Sequence, residues 1–122
     1  MAIRVLIVDD QKINRMLNEA LIKAAGHEAI QAESGREAIF KLRSEQVDII
    51  LMDIEMPDMN GVEATQLIRK TKVVPDDLPI VAITANSEED RAEYIAAGMQ
   101  GYVQKPISAE SLAEVFAKFK LG

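Results

Sequence analysis

The sequence predicts a doubly wound α/β domain with a five-stranded parallel sheet, (βα)5, and three features point there. Five short apolar runs alternate with five helical patterns across the 122 residues. The apolar runs are continuous rather than alternating with polar residues, which marks strands covered on both faces, as in a parallel sheet. No internal repeat, low-complexity tract or linker interrupts the alternation, so a single domain over 1–122 is expected.

The elements follow in order. Ile3 to Val8 forms the first strand and runs into Asp9 and Asp10. A helix comes next, with Ile13, Met16, Leu17, Ala20, Leu21 and Ala24 at spacings of three and four, a stripe expected to face the core. Gly26 stops it, in the C′ position that glycine favours. Glu28 to Ala32 is a weaker strand, suited to a sheet edge. The second helix opens at Ser34, whose hydroxyl caps while Glu37 reaches back, and it carries Ala38, Ile39 and Leu42 inward. Ile49 to Met52 is the third strand and leads into Asp53. The turn-rich loop Met56 to Gly61 precedes a third helix, about Val62 to Lys70, and a loop with Pro75, Asp76, Asp77 and Pro79 follows it. Ile80 to Thr84 is the fourth strand; Ser87 with Asp90 repeats the capping signature and Gly98 closes the fourth helix. Gly101 to Gln104 is a second edge-like strand, and Ser108 caps a last helix that buries Leu112, Val115, Phe116 and Phe119. Right-handed crossovers in such a sheet favour the flavodoxin-like order 2-1-3-4-5.

Composition narrows the function. With 20 acidic against 14 basic residues the formal charge is −6, and no long Lys/Arg run appears, so direct nucleic-acid binding is disfavoured. The absence of cysteine excludes a disulfide scaffold, a thiolate metal site and a cysteine nucleophile. The longest apolar stretches are four or five residues, against the roughly 20 a membrane helix needs. The amino terminus lacks the basic start and cleavage site of a signal peptide, so a cytoplasmic location is expected. His27, in the turn after Gly26, reads as a surface residue, and the six methionines as packing.

In open parallel sheets ligands bind outside the carboxyl ends of the strands. Here those ends carry Asp9 and Asp10, Asp53, Thr84 and Lys105. Each has a duller reading in isolation: a helix cap for the first two, a strand residue for Thr84, a solvated lysine for Lys105. Their conjunction is harder to dismiss. Carboxylates about 5 Å apart repel by about 3 kcal/mol per pair at an effective dielectric near 20, so the cluster calls for positive charge. Lys105 supplies one, and an all-oxygen site without His or Cys selects a hard divalent ion, with Mg²⁺ the natural choice. A carboxylate beside Mg²⁺ and lysine can attack a phosphoryl group and become an aspartyl phosphate. Asp53, ending the central strand, is the best candidate nucleophile.

These residues together resemble the receiver domains of two-component response regulators, over the entire chain. The acidic pair Asp9-Asp10, the aspartate of Leu51-Met52-Asp53, the turn Met56-Pro57-Asp58-Met59-Asn60-Gly61, the pair Thr84-Ala85 and Lys105-Pro106 all look like the family's pattern. The resemblance implies that Asp53 is the phosphoacceptor and that Asp10, Asp53 and the backbone carbonyl of Glu55 ligate Mg²⁺, with Asp9 acting largely through water. It implies that Thr84 bonds a phosphoryl oxygen, that Tyr102 is the switch aromatic that turns inward when Thr84 moves, and that Lys105-Pro106 is a cis peptide bond. Glu55 and Asn86 fall at positions that tune the lifetime of the phosphoryl group. The implied partner is a histidine kinase or a histidine phosphotransfer domain, with output through the fourth helix, fifth strand and fifth helix.

The stretch Gly98 to Ile107 looks more like receivers of hybrid kinases and phosphorelays, and Gln100-Gly101 replaces the acidic residues that precede the switch aromatic in dimerising winged-helix regulators. A monomer or weak dimer is therefore expected. A competing reading is a small phosphohydrolase of the haloacid-dehalogenase type, because Asp53-x-Glu55 after an apolar strand resembles that family's paired acids; a receiver would instead be modified once and lose the group slowly. A flavin binder on the same fold would need a Ser/Thr/Gly-rich phosphate loop after the first strand, which the chain lacks.

Overall fold

The structure is a computed structural model that describes residues 2–85 and 90–121. Five strands, β1 (Arg4–Val8), β2 (Glu28–Ala32), β3 (Ile49–Asp53), β4 (Ile80–Thr84) and β5 (Gly101–Gln104), alternate with α1 (Lys12–Ala24), α2 (Gly35–Leu42), α3 (Gly61–Thr71), α4 (Arg91–Ala97) and α5 (Ala109–Lys118). The strands are parallel in the order β2-β1-β3-β4-β5, as the sequence predicts.

The sheet has a core on each face, because alternate residues of a strand point to opposite sides. Leu6, Val8, Ile50, Met52, Ile80 and Ala82 pack against α2, α3 and α4 through residues such as Ile39, Ile68 and Tyr94. Val5, Ile7, Ile49, Leu51, Val81 and Ile83 pack against α1 and α5 through Ile22, Leu112, Val115 and Phe116. β3 is buried along its whole length.

Helix ends are governed by local chemistry. Ser34 Oγ accepts from the Glu37 backbone N–H, although the Glu37 carboxylate reaches back to Glu33 rather than to Ser34. Asn60 and Glu63 form a reciprocal capping box on α3, and Ser108 and Ser111 form one on α5. Gly26 and Gly98 adopt φ of 89° and 107° after α1 and α4, a left-handed turn that costs glycine little. Ser87 lies outside the described residues, and Asp90 makes no side-chain cap on α4.

The largest departure from the sequence expectation is α1. Ile13, Met16 and Leu17 are 71%, 56% and 61% exposed, and the only buried residue of the helix is Ile22, on the opposite side. The apolar stripe faces outward. Polar bonds orient the other face inward: Arg15 Nη1 donates to the Asp9 carbonyl at 2.7 Å and its Nε to Gln31 Oε1 at 3.0 Å. His27 is likewise more than a surface residue, since its Nδ1 accepts from the Ile3 N–H at 3.1 Å and its ring meets Phe116 edge-on.

Candidate functional site at the carboxyl edge of the sheet

The carboxyl edge gathers groups from four strand ends. Asp9 follows β1 and is buried; its backbone N–H donates to the Ala32 carbonyl and its Oδ1 accepts from the Gln11 N–H at 2.9 Å. This fixes the carboxylate at the start of α1. Asp10 is the more accessible neighbour. Asp53 ends β3, 2% exposed, with the following backbone hydrogen-bonded to β4 through the Ile54 N–H and the Ile83 carbonyl. One carboxylate oxygen from each of Asp9, Asp10 and Asp53 lies within 4.8 Å of the others.

The loop after Asp53 folds back tightly. A Cβ on Gly61 would lie 2.3 Å from the Asp53 carbonyl oxygen and 2.9 Å from the Ile54 Cα, so only glycine permits α3 to start there. The Gly61 N–H closes the turn onto the Ile54 carbonyl at 3.0 Å.

Lys105, after β5, donates its backbone N–H to the Thr84 carbonyl and places Nζ 2.8 Å from Asp53 Oδ1. This short ion pair serves the fully buried Oδ1 of Asp53. Burial, aided by the charge of Asp9, pushes the Asp53 carboxyl above its ordinary value, against the opposing influence of Lys105 and the Glu55 backbone. For Lys105, burial acts to lower the value but is outweighed by Asp53, Asp9 and Glu55, so the ammonium is held above its ordinary range. The Lys105-Pro106 bond is cis.

These facts fit a hard cation. Among the described residues one lysine, paired with Asp53, meets a cluster of three carboxylates, and the donors are all oxygen at a spacing that small side-chain shifts would close around an ion with ligands at about 2.1 Å. The site can thus hold a divalent metal and present an oxygen nucleophile beside a cation.

The remaining sequence candidates are placed less directly. Thr84 is buried at the end of β4 and Tyr102 is half-buried, packed against the core on the α4 side. The Glu55 side chain is exposed, and Asn86 lies outside the described residues. Two neighbours of the site were not singled out from sequence: Arg15 and Tyr94. Tyr94 is 3% exposed and its hydroxyl donates to Thr84 Oγ1 at 3.2 Å. A tyrosine among the inward positions of α4 is itself a signal, since a buried phenol usually finds a partner.

Comparison with known proteins supplies the context. A family model described as the response regulator receiver domain matches residues 5–117. The two-component response regulator ORR41 of rice (Oryza sativa subsp. japonica) is 40% identical over 125 residues, covering 98% of this chain and 96% of that protein. The sensor protein GacS of Pseudomonas syringae pv. syringae is 38% identical over 119 residues, covering 95% of this chain. The chain spans only 13% of the length of GacS. Among solved structures, Vibrio cholerae chemotaxis protein CheY4 superposes with a TM-score of 0.89 at 29% identity, covering 97% of this chain and 98% of that one. The receiver domain of sensor histidine kinase PA1611 from Pseudomonas aeruginosa PAO1, which has a magnesium ion coordinated in its active-site cleft, superposes at 0.84 with 29% identity, covering 97% of each chain.

Proposed function

We propose, from the premise that this chain belongs to the response regulator receiver domain family, that Asp53 accepts a phosphoryl group from a phosphohistidine partner and that the modified domain signals by changing shape. A receiver is a phosphoacceptor switch in two-component or phosphorelay signalling, not a turnover enzyme. The observation that carries the residue assignment is the buried Asp53 carboxylate, paired at 2.8 Å with Lys105 and crowded by Asp9 and Asp10.

In this reading an Asp53 oxygen attacks phosphorus, the P–O bond forms, and the P–N bond breaks with its electron pair left on the departing imidazole nitrogen. Burial has stripped the attacking carboxylate of water, and Lys105 balances negative charge on the phosphoryl oxygens. Asp9, Asp10 and Asp53, with the Glu55 backbone carbonyl that the resemblance implies, would hold Mg²⁺, which when bound supplies further neutralisation of that charge. Thr84 receives a phosphoryl oxygen and Tyr102 reports its movement to the face formed by α4, β5 and α5. The exposed Glu55 side chain argues against a second acid acting as in a phosphohydrolase.

The outward stripe of α1 supports the partner assignment. Ile13, Met16 and Leu17 form a largely exposed apolar face, and Leu17 borders a pocket of about 210 Å³ shared with Asp9, Lys105 and Pro106. A phosphohistidine must be delivered within bonding distance of Asp53, so a helical partner docking on α1 is well placed to do it. In this reading the domain is one unit over 1–122 that works in the cytoplasm; no helix among the described residues is long and apolar enough to cross a membrane.

The test is intact mass after treatment with a small acyl phosphate. Wild type gains one phosphoryl group only when Mg²⁺ is present, and Asp53→Asn gains none while keeping its circular dichroism spectrum. A folded Asp53→Asn variant that is still labelled would move the acceptor elsewhere.

A further inference from the structure

We propose that Tyr94 is a positioning residue that latches Thr84 away from the phosphoryl site until the group arrives; this rests on the function proposed above. The Tyr94 hydroxyl donates to Thr84 Oγ1 at 3.2 Å, inside the protein, with the two residues 3% and 1% exposed.

The argument is one of competition for a hydroxyl. In the conformation seen here Thr84 Oγ1 lies within reach of the α4 phenol. To bond an oxygen on Asp53, at the end of the neighbouring strand, the Thr84 side chain must turn toward β3. That turn draws Oγ1 away from Tyr94 and takes from the buried phenol the acceptor it has here, a recognised cost for a buried polar group. The unmodified domain is thereby biased toward the latched arrangement, and a phosphoryl group must outcompete it.

The latch also places α4 in the signalling path. Tyr94 and Tyr102 line one pocket of about 80 Å³, with Arg91, Ile95, Gln100, Gly101 and Lys118. That volume takes only a few water molecules, so in this proposal an inward turn of Tyr102 into the same space presses on the Tyr94 ring. Release of the Tyr94 hydroxyl and entry of Tyr102 become parts of one rearrangement.

Tyr94→Phe keeps the ring and removes only the donor. Labelling of Asp53 by a small acyl phosphate in Mg²⁺ is expected to become about tenfold faster, since Thr84 no longer leaves a bond behind. The effect must run through Thr84: in a Thr84→Ala background Tyr94→Phe changes nothing, and in Thr84→Ser, which restores the hydroxyl, the acceleration returns. Unchanged or slower labelling in Tyr94→Phe overturns the proposal, as does an acceleration that survives without the Thr84 hydroxyl. Loss of the native circular dichroism spectrum in Tyr94→Phe overturns it too, because the bond would then belong to the scaffold. If wild type is not labelled on Asp53, the phosphoacceptor reading falls and takes the latch with it; if wild type is labelled and Tyr94→Phe behaves identically, only the latch falls.

Discussion

The two edges of the sheet invert the usual relation between space and function. At the amino edge a cleft of about 840 Å³ opens among Arg4, Glu45, Asp48, Val73 and Leu78, far larger than the pocket beside Lys105. Two of its acids are tied to Arg4: the guanidinium pairs with Glu45 at 2.5 Å, and the Arg4 backbone N–H donates to Asp48 Oδ2 at 2.8 Å. At the carboxyl edge there is little room, but three carboxylates share one lysine and two of the three are buried. Charge that the fold leaves unbalanced is free to act on a ligand, whereas charge already paired is spent on holding the chain. Volume alone would have selected the wrong end of the molecule.

That contrast is broken most forcefully at Lys105. Replacing it with alanine leaves Asp53 facing Asp9 and Asp10 without the one cation that, among the described residues, is ion-paired with it, so acyl-phosphate labelling should fall by about 10²- to 10³-fold, the scale of losing one charge-stabilising donor. Labelling within about threefold of wild type would show that the lysine merely decorates the rim. The next effect is smaller and concerns delivery rather than chemistry. Leu17→Glu, on the outward stripe of α1, should slow transfer from a phosphohistidine protein about tenfold while labelling by a small acyl phosphate stays within about twofold. Equal losses with both donors would mean that Leu17 supports the pocket instead of the partner.

A third experiment reads the imbalance as stability. Burial raises the Asp53 carboxyl above its ordinary value of 3.8, so between that value and the raised one the folded chain holds more protons than the unfolded chain. Stability therefore declines as pH rises through that window, and at neutral pH the whole cost is present. In metal-free buffer Asp53→Asn should be more stable than wild type at about pH 7, by on the order of 1 kcal/mol, with the advantage shrinking as pH falls toward about 4. Urea midpoints at the two pH values check the sign, and an advantage that grows on acidification would reverse it.

How much of this could be read from the sequence depends on whether the signal is local. Strand runs, the glycines after α1 and α4, and the serine caps at Ser34 and Ser108 are short-range features, and they fall where expected. The acids and Lys105 were legible because a parallel sheet forces strand ends to one edge, whatever their separation in sequence. The orientation of α1 was not. Periodicity identifies Ile13, Met16 and Leu17 as one stripe, but which side faces the sheet is settled here by Arg15 bonding to Asp9 and Gln31, and by Ile22 on the far side. Tyr94 escaped for a similar reason, since its partner Thr84 belongs to a different element and the bond exists only in three dimensions.

The smallest expected effect is the control that gives the comparison its meaning. Arg4→Ala removes the best-placed ion pair of the large amino-edge cleft, yet both partners are more than a third exposed, where such pairs contribute about 0–1 kcal/mol. Water and salt screen the charges, and two long side chains lose freedom to hold the geometry. Thermal melting should therefore change by less than the shift expected for Asp53→Asn, and labelling of Asp53 should stay within about twofold of wild type. A loss of labelling comparable to that of Lys105→Ala would mean that the two ends of the sheet are energetically linked through β1, whose first residue is Arg4 and whose end leads into Asp9. The expectation against such a link follows from the strand itself: Val5, Leu6, Ile7 and Val8 are packed on both faces and carry no charge between the two ends. Arg4 and Asp9 are thus separated by an apolar segment through which a change in one exposed pair has no polar route to the other.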